Sequence, residues 1–352
     1  MTALEKLMRE NIRDLKPYQS ARETHQAGDY IFLDANENPF GRSLNRYPDP
    51  LQKELKDRIA RQKSVDPARI FLGNGSDEII DLLIRAFVEP AFDNMIIPQP
   101  TYGMYEVAAN IHGAEVRKVP LSKDFQPEPA DILKKADEKT KLLFLCSPNN
   151  PSGNLLKEDK VREVVANFQG LVVLDEAYLE FAQSAGFLPL LGQYPNVVLL
   201  RTFSKAAGLA GIRLGYAFAD PRVIDILTRI KYPYNVNRLT QRMALQRMNK
   251  FRQVRRIVRV IRKERQNLEA FLNRCSFVEK VYPSDANFLL VRVKDPRGLM
   301  DYLHNHGVII RDRSSLPYCQ RAVRITIGKP RENKQLMKRC RQFDQKKPSY
   351  GT

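Results

Sequence analysis

The sequence predicts an α/β protein: a large domain with a mostly parallel central sheet flanked by helices, and a smaller α/β domain after it. Three observations carry this. Short, continuous apolar runs recur through the first two thirds of the chain, as in strands buried on both faces of a parallel sheet. Between them lie segments whose apolar residues repeat at three and four, as covering helices require. After about residue 245 the character changes to a long basic stretch followed by short mixed segments. The expected division is an arm over 1–45 joining the smaller unit, a large domain over 46–245 and the smaller domain over 246–352.

In chain order, NMIIPQP (94–100), KLLFLC (141–146), GLVVLDEAY (170–178), NVVLLRTFSK (196–205) and RLGYAFAD (213–220) read as strands. SDEIIDLLIRAFV (76–88) and LKEDKVREVVANF (156–168) read as helices that cover them. In the long basic helix of the last third, Val254, Ile257, Val258, Ile261, Leu268 and Phe271 recur at helical spacing and predict a core-facing stripe. VEKVYPSDANFLLVRV, GLMDYLHNHGVIIRD and AVRITIG then supply the strands and helix of the smaller unit.

Composition excludes several classes. The 352 residues are 43% hydrophobic and 28% charged, the balance of an ordinary globular chain. The apolar runs are far shorter than the roughly 20 residues of a membrane helix, so no membrane span is expected. Four cysteines (Cys146, Cys275, Cys319, Cys340) lack CxxC or zinc-like spacing. With the amphipathic start MTALEKLMRENIRDL they point to a reduced, cytoplasmic protein without a metal site. The net charge of +18 is concentrated in 247–274, with ten basic and two acidic residues, and 329–347, with eight and two. The apolar stripe makes these the solvated faces of core helices. Polyanion binding stays open as the alternative.

In open parallel sheets, ligands sit beyond the carboxyl ends of the strands. The residues there are polar. FLGNGSDE sets a glycine-rich turn before a helix start, suited to a phosphate or simply to chain reversal. Asp77 and Glu78 would repel that phosphate, so their side chains are expected to turn away. SPNNPSG follows the next run, DEAY the third, and the fourth ends in a lysine, inside RTFSKAAGLAGIRLGY (201–216). A lone strand-end Asp such as Asp175 also serves as a helix cap.

The order of these motifs resembles the fold type I aminotransferases that use pyridoxal 5′-phosphate (PLP), over nearly the whole chain. It is most similar to the histidinol-phosphate aminotransferases, through IRDLKPYQSAR, LDANENPFG, RYPDP, GNGSDE, SPNNPSG, DEAY, TFSKAAGLAGIRLGY, VIIRDRS and VRITIG. The resemblance implies that Lys205 is the covalent anchor and proton carrier. A lysine amine can do both. It implies that Asp175 holds the ring nitrogen protonated, that Tyr178 and Asn150 contact the ring oxygen, and that Tyr102 stacks on the ring. The cofactor phosphate would be held by amides of Gly75, Ser76 and Asp77, hydroxyls of Thr202 and Ser204, and Arg213. Tyr47 would reach the cofactor of a second subunit in a homodimer.

Arg324 and Arg311, with the Tyr18 hydroxyl, would bind substrate, since guanidinium grips carboxylate and phosphate oxygens in bidentate fashion. A surface ion pair of Arg311 with Asp312 is the plainer alternative. Tyr234, Asn235 and Asn237 are candidates for reading an imidazole ring. The implied reaction is PLP-dependent transamination of L-histidinol phosphate with 2-oxoglutarate, giving imidazole-acetol phosphate and L-glutamate, in histidine biosynthesis. The partners are thus a small amino donor and a 2-oxo acid. An aromatic or broad-range aminotransferase, a PLP-dependent decarboxylase of a phosphorylated amino acid, and a nucleic-acid-binding protein remain as alternatives.

Overall fold

A computed structural model describes residues 3–16, 31–41 and 44–345. Seven strands form one sheet: β1 (Ile70–Asn74), β2 (Asn94–Gln99), β3 (Glu115–Pro120), β4 (Thr140–Cys146), β5 (Leu171–Asp175), β6 (Val197–Thr202) and β7 (Leu214–Phe218). Their order is β1-β7-β6-β5-β4-β2-β3. The pairs β2·β3, β2·β4, β4·β5 and β5·β6 are parallel, and β7 runs antiparallel to both neighbours. This is the mostly parallel sheet that the apolar runs predict. Strands β5, β6 and β7 are buried along their whole length, because helices cover both faces.

Two strands escaped the sequence reading. IFLGN forms β1, where glycine and asparagine imitate a turn, and EVRKVP forms β3, an edge strand with polar residues outward. The run 170–178 ends as a strand at Asp175, leaving Glu176–Tyr178 to turn over the strand end.

Four more strands, β8 (Val278–Val281), β9 (Phe288–Val293), β10 (Arg311–Asp312) and β11 (Ala322–Thr326), form an antiparallel sheet in the order β10-β11-β9-β8. The helices Phe251–Leu272, Pro296–Asn305 and Pro330–Gln345 close over it through Leu268, Leu303 and Leu336. Within the first of these, Val254, Val258, Leu268 and Phe271 are buried as the stripe predicts, but Ile257 is 40% exposed. Ile257 falls beside Arg255, Arg256 and Arg259 on the solvated face.

Two boundaries differ from expectation. Leu4 and Met8 pack with Ile79, Ile80 and Leu83 against the large sheet, and Arg9 pairs with Glu89 at 2.8 Å. The start of the arm therefore rests on the large unit. Its apolar turn meets an apolar helix face there. The helix Arg238–Asn249 also stays with the large core through Ala244 and Met248, and Val254 and Val258 of the next helix still pack with Ala177, Phe181 and Ala206, so the core changes within that helix rather than at 245. The units are joined where the Asp285 amide donates to the Gly153 carbonyl at 2.7 Å. Gly153 has φ of +85°, and any Cβ there would collide with Ser284.

Candidate active site

Register brings the polar strand ends to one edge. Cys146 pairs with Asp175 across β4·β5, Thr202 with Gly215 across β6·β7, and Gly75 bridges to Leu214. At that edge lies a cavity of about 120 Å³ lined by Ser76, Asp77, Tyr102, Asn150, Asp175 and Tyr178. Thr202, Ser204, Lys205 and Arg213 line it as well. The structure thus gathers residues that the sequence spreads over more than a hundred positions.

Asp175 is 3% exposed. Its Oδ2 accepts from the Tyr105 hydroxyl at 2.6 Å and its Oδ1 from the Ala177 amide at 3.0 Å. Burial pushes its carboxyl above the usual range, while these two donors pull it back. Lys205 reaches the cavity with Nζ 5.4 Å from the Tyr178 ring centroid. Loss of solvent around the amine, then the Arg324 charge, hold it below the ordinary lysine value. Tyr178 is buried, which raises its phenol, and packs edge-on against Phe288 at 5.1 Å.

The turn after β1 is a cup for an anion. Gly75 opens the helix Gly75–Phe87 at φ +78°, and a Cβ there would lie 2.6 Å from Arg213 Nη2. Arg213 itself adopts φ +51°, which aims it across the cup. The Thr202 hydroxyl donates to the Leu214 carbonyl at 3.2 Å and accepts from the Ser204 amide at 3.0 Å. The helix N-terminus, two hydroxyls and a guanidinium form a set suited to phosphate.

Asp77 departs from the expectation that its side chain turns away. Its Oδ2 accepts from Arg213 at 2.9 Å and its Oδ1 from the Tyr102 hydroxyl at 3.2 Å. The arginine neutralises the carboxylate, so the two share the cup wall. Glu78 does turn aside, accepting from the Asn235 side chain at 2.9 Å and from the Asn74 amide. Asn235 also donates to the Leu72 carbonyl at 3.0 Å, Asn237 caps its helix through the Thr240 amide, and Tyr234 stacks on Tyr47 at 4.5 Å. None of these three lines the cavity. Tyr47 does not line it either. Tyr18 lies outside the described residues.

Arg324 Nη1 donates to Asn150 Oδ1 at 2.5 Å, and its guanidinium stacks over Phe288 at 5.3 Å. Its Nε is buried without a hydrogen-bond partner among the described residues. Arg311 sits directly opposite on β10 as its register partner. Asp312 points elsewhere, accepting from the Ser314 amide at 2.8 Å, and no ion pair ties it to Arg311 among the described residues.

The sequence reading missed Tyr105 and Cys146. Each had a signal: Tyr105 lies three after Tyr102 in PTYGMY, and Cys146 is the last residue of its apolar run. No cluster suited to a metal ion occurs among the described residues. No helix there is long and apolar enough to cross a membrane.

The model of the family Aminotransferase class I and II matches residues 21–339. The chain belongs to this family. Among family members, the histidinol-phosphate aminotransferase of Parabacteroides distasonis is 50% identical over 337 residues, covering 96% of this chain and 98% of its own. A crystal structure of histidinol-phosphate aminotransferase from Sinorhizobium meliloti in complex with pyridoxal-5′-phosphate superposes with a TM-score of 0.78. It is 26% identical, over 88% of this chain and 90% of that one. The L-threonine-O-3-phosphate decarboxylase of Porphyromonas gingivalis superposes at 0.73 with 27% identity, over 86% and 92%.

Proposed function

We propose that the chain binds PLP in this cavity and transfers the amino group of L-histidinol phosphate to 2-oxoglutarate, as a step of histidine biosynthesis. The observation that carries the reading is the convergence of Lys205, buried Asp175 and the Gly75–Arg213 cup at one strand edge. These residues fit the cofactor: the cup matches its phosphate, the Asp175 carboxylate its ring nitrogen, and the Lys205 amine its aldehyde.

Bound PLP would supply an electron sink for the substrate's breaking Cα–H bond. The chain does the rest. The Lys205 amine, whose pKa is held below the usual lysine value, is the base placed to accept a proton from substrate Cα. Asp175, buried and twice hydrogen-bonded, would stand by the ring nitrogen, where its carboxylate would favour the protonated ring. Asn150 and Tyr178 would contact the ring oxygen, and Tyr102 would cover one ring face. Gly75, Ser76 and Asp77 amides, Thr202, Ser204 and Arg213 would hold the phosphate.

Arg324 and Arg311 read the substrate's anionic arm. The unpartnered Arg324 Nε is a donor waiting for an oxygen, and a phosphate dianion answers two guanidinium groups better than one. Tyr18 is assigned to the same arm. The enzyme is a cytoplasmic homodimer in this reading, with Tyr47 of each subunit serving the partner's cofactor phosphate.

Purified protein should carry a visible absorption band from bound PLP, and L-histidinol phosphate should bleach it more effectively than phenylalanine does. A colourless protein that takes up no PLP would remove the basis of the reading.

A further inference from the structure

Behind the Asp175 carboxylate stands a side chain that no part of the proposed machinery uses. Tyr105 is fully buried, at 0% exposure, although it carries a hydroxyl. Its ring stacks on Phe144 at 4.7 Å and meets Tyr102 edge-on at 5.4 Å. This packing fixes the ring and points the hydroxyl at Asp175 Oδ2, 2.6 Å away. A phenol buried this deeply could have been phenylalanine without loss of packing, and the hydroxyl's burial needs a polar partner to be tolerated.

We propose that Tyr105 is a positioning residue that holds the Asp175 carboxylate charged and aimed into the cavity, toward the ring nitrogen of PLP. The inference rests on the PLP reading above. The groups that face Asp175 are Tyr105 from the helix Met104–His112, Tyr102 just before it, Cys146 from the end of β4, Tyr178 from the turn after β5, Asp77 from the helix Gly75–Phe87 and Lys205 from the segment after β6. Burial raises both the Tyr102 and the Tyr178 phenols, so neither adds a charge. Cys146 is a buried thiol held neutral by desolvation. Asp77 opposes the charge and is itself neutralised by Arg213. Lys205 favours the charge, but in the reading above it is committed to the cofactor. Tyr105 and the Ala177 amide are the two donors left to stabilise the anion, and Ala177 binds the other oxygen.

The sign follows. A hydrogen bond to the charged form lowers a carboxyl pKa, so removing it raises that of Asp175. The carboxylate is present above its pKa and lost as pH falls through it. In Tyr105→Phe the pH at which PLP affinity declines should therefore move upward.

The test measures PLP dissociation constants across pH for the native chain, Tyr105→Phe, Asp175→Asn and the double variant. The expected result is a weakening in Tyr105→Phe of about tenfold to a hundredfold on the acid side, the range for a hydrogen bond to a buried charge. Above that decline the difference should narrow, and in the Asp175→Asn background the same substitution should change little. Superimposed profiles, or equal weakening in both backgrounds, would overturn the proposal and leave Tyr105 a packing residue. If Tyr105→Phe is insoluble, 3-fluorotyrosine at 105 serves, because its more acidic hydroxyl donates more strongly. It should move the decline to lower pH, and an unmoved decline would equally overturn the proposal. Failure of the native chain to bind PLP at any pH strikes the parent reading instead.

Discussion

Arg311 and Arg324 are direct register partners across β10 and β11, two cations facing each other, and no ion pair holds either among the described residues. Side chains so placed have Cβ atoms about 4.5–5.5 Å apart, and like charges there are destabilising. An anion lying over both would relieve that repulsion. Arg313 stands close enough that desolvation and then the charges of Arg324 and Arg311 hold its guanidinium below the usual value.

The two arginines should fail differently. Arg311 is exposed in the chain without substrate, and removing one partner of a charge pair that bound substrate would desolvate costs roughly 2–5 kcal/mol. Arg311→Ala should lower kcat/KM for the half-reaction with L-histidinol phosphate by about 30-fold to several-thousand-fold, and that with glutamate by less. Arg324→Ala should damage both. Single-turnover kinetics at two salt concentrations separate this from the general positive field, which salt screens. Equal losses on both substrates in Arg311→Ala would mean that it does not read phosphate.

Lys205→Ala should abolish the resting visible band and nearly all turnover while leaving the unfolding midpoint of the apoprotein close to native. In the native chain, uptake of PLP should slow as pH falls through the lowered lysine pKa, since only the neutral amine reacts. Stopped-flow absorbance measures both. Undiminished turnover in the variant would remove Lys205 from the chemistry.

Gly75→Ala should lose cofactor before it loses fold. A non-glycine residue in the left-handed region costs about 1–2 kcal/mol, and the new methyl would displace Arg213 from the cup wall. Dialysis should strip PLP from the variant faster than from the native enzyme, and urea unfolding should report only that modest destabilisation.

Glu176, the residue after Asp175, is buried with Arg201 at 2.8 Å and accepts from the Phe187 amide at 2.6 Å. It anchors the strand end on the side away from the cavity. Arg201→Met should destabilise the chain by about 3–5 kcal/mol by leaving a buried charge unpaired. Adding Glu176→Gln should recover part of that, as urea denaturation would register.

How much of this was legible in the sequence depended on locality. Buried strands announce themselves by continuous apolar runs, so β2, β4, β5, β6 and β7 were found. IFLGN and EVRKVP were not, because a strand-end glycine and an edge strand's charges break the pattern. Lys205, Asp175 and the cup residues were legible through motif order, since register fixes which strand ends meet. The direction of the Asp77 carboxylate was not, because its partner Arg213 lies 136 residues away.

The central claim is transamination of a phosphorylated amine, and product analysis tests it most directly. Purified holoenzyme given L-histidinol phosphate and 2-oxoglutarate should form L-glutamate in equal amount to imidazole-acetol phosphate, with no reaction when the oxo acid is omitted beyond a single half-turnover. Release of CO2 from a phosphorylated amino acid without any oxo-acid acceptor, and no glutamate from L-histidinol phosphate, would contradict it.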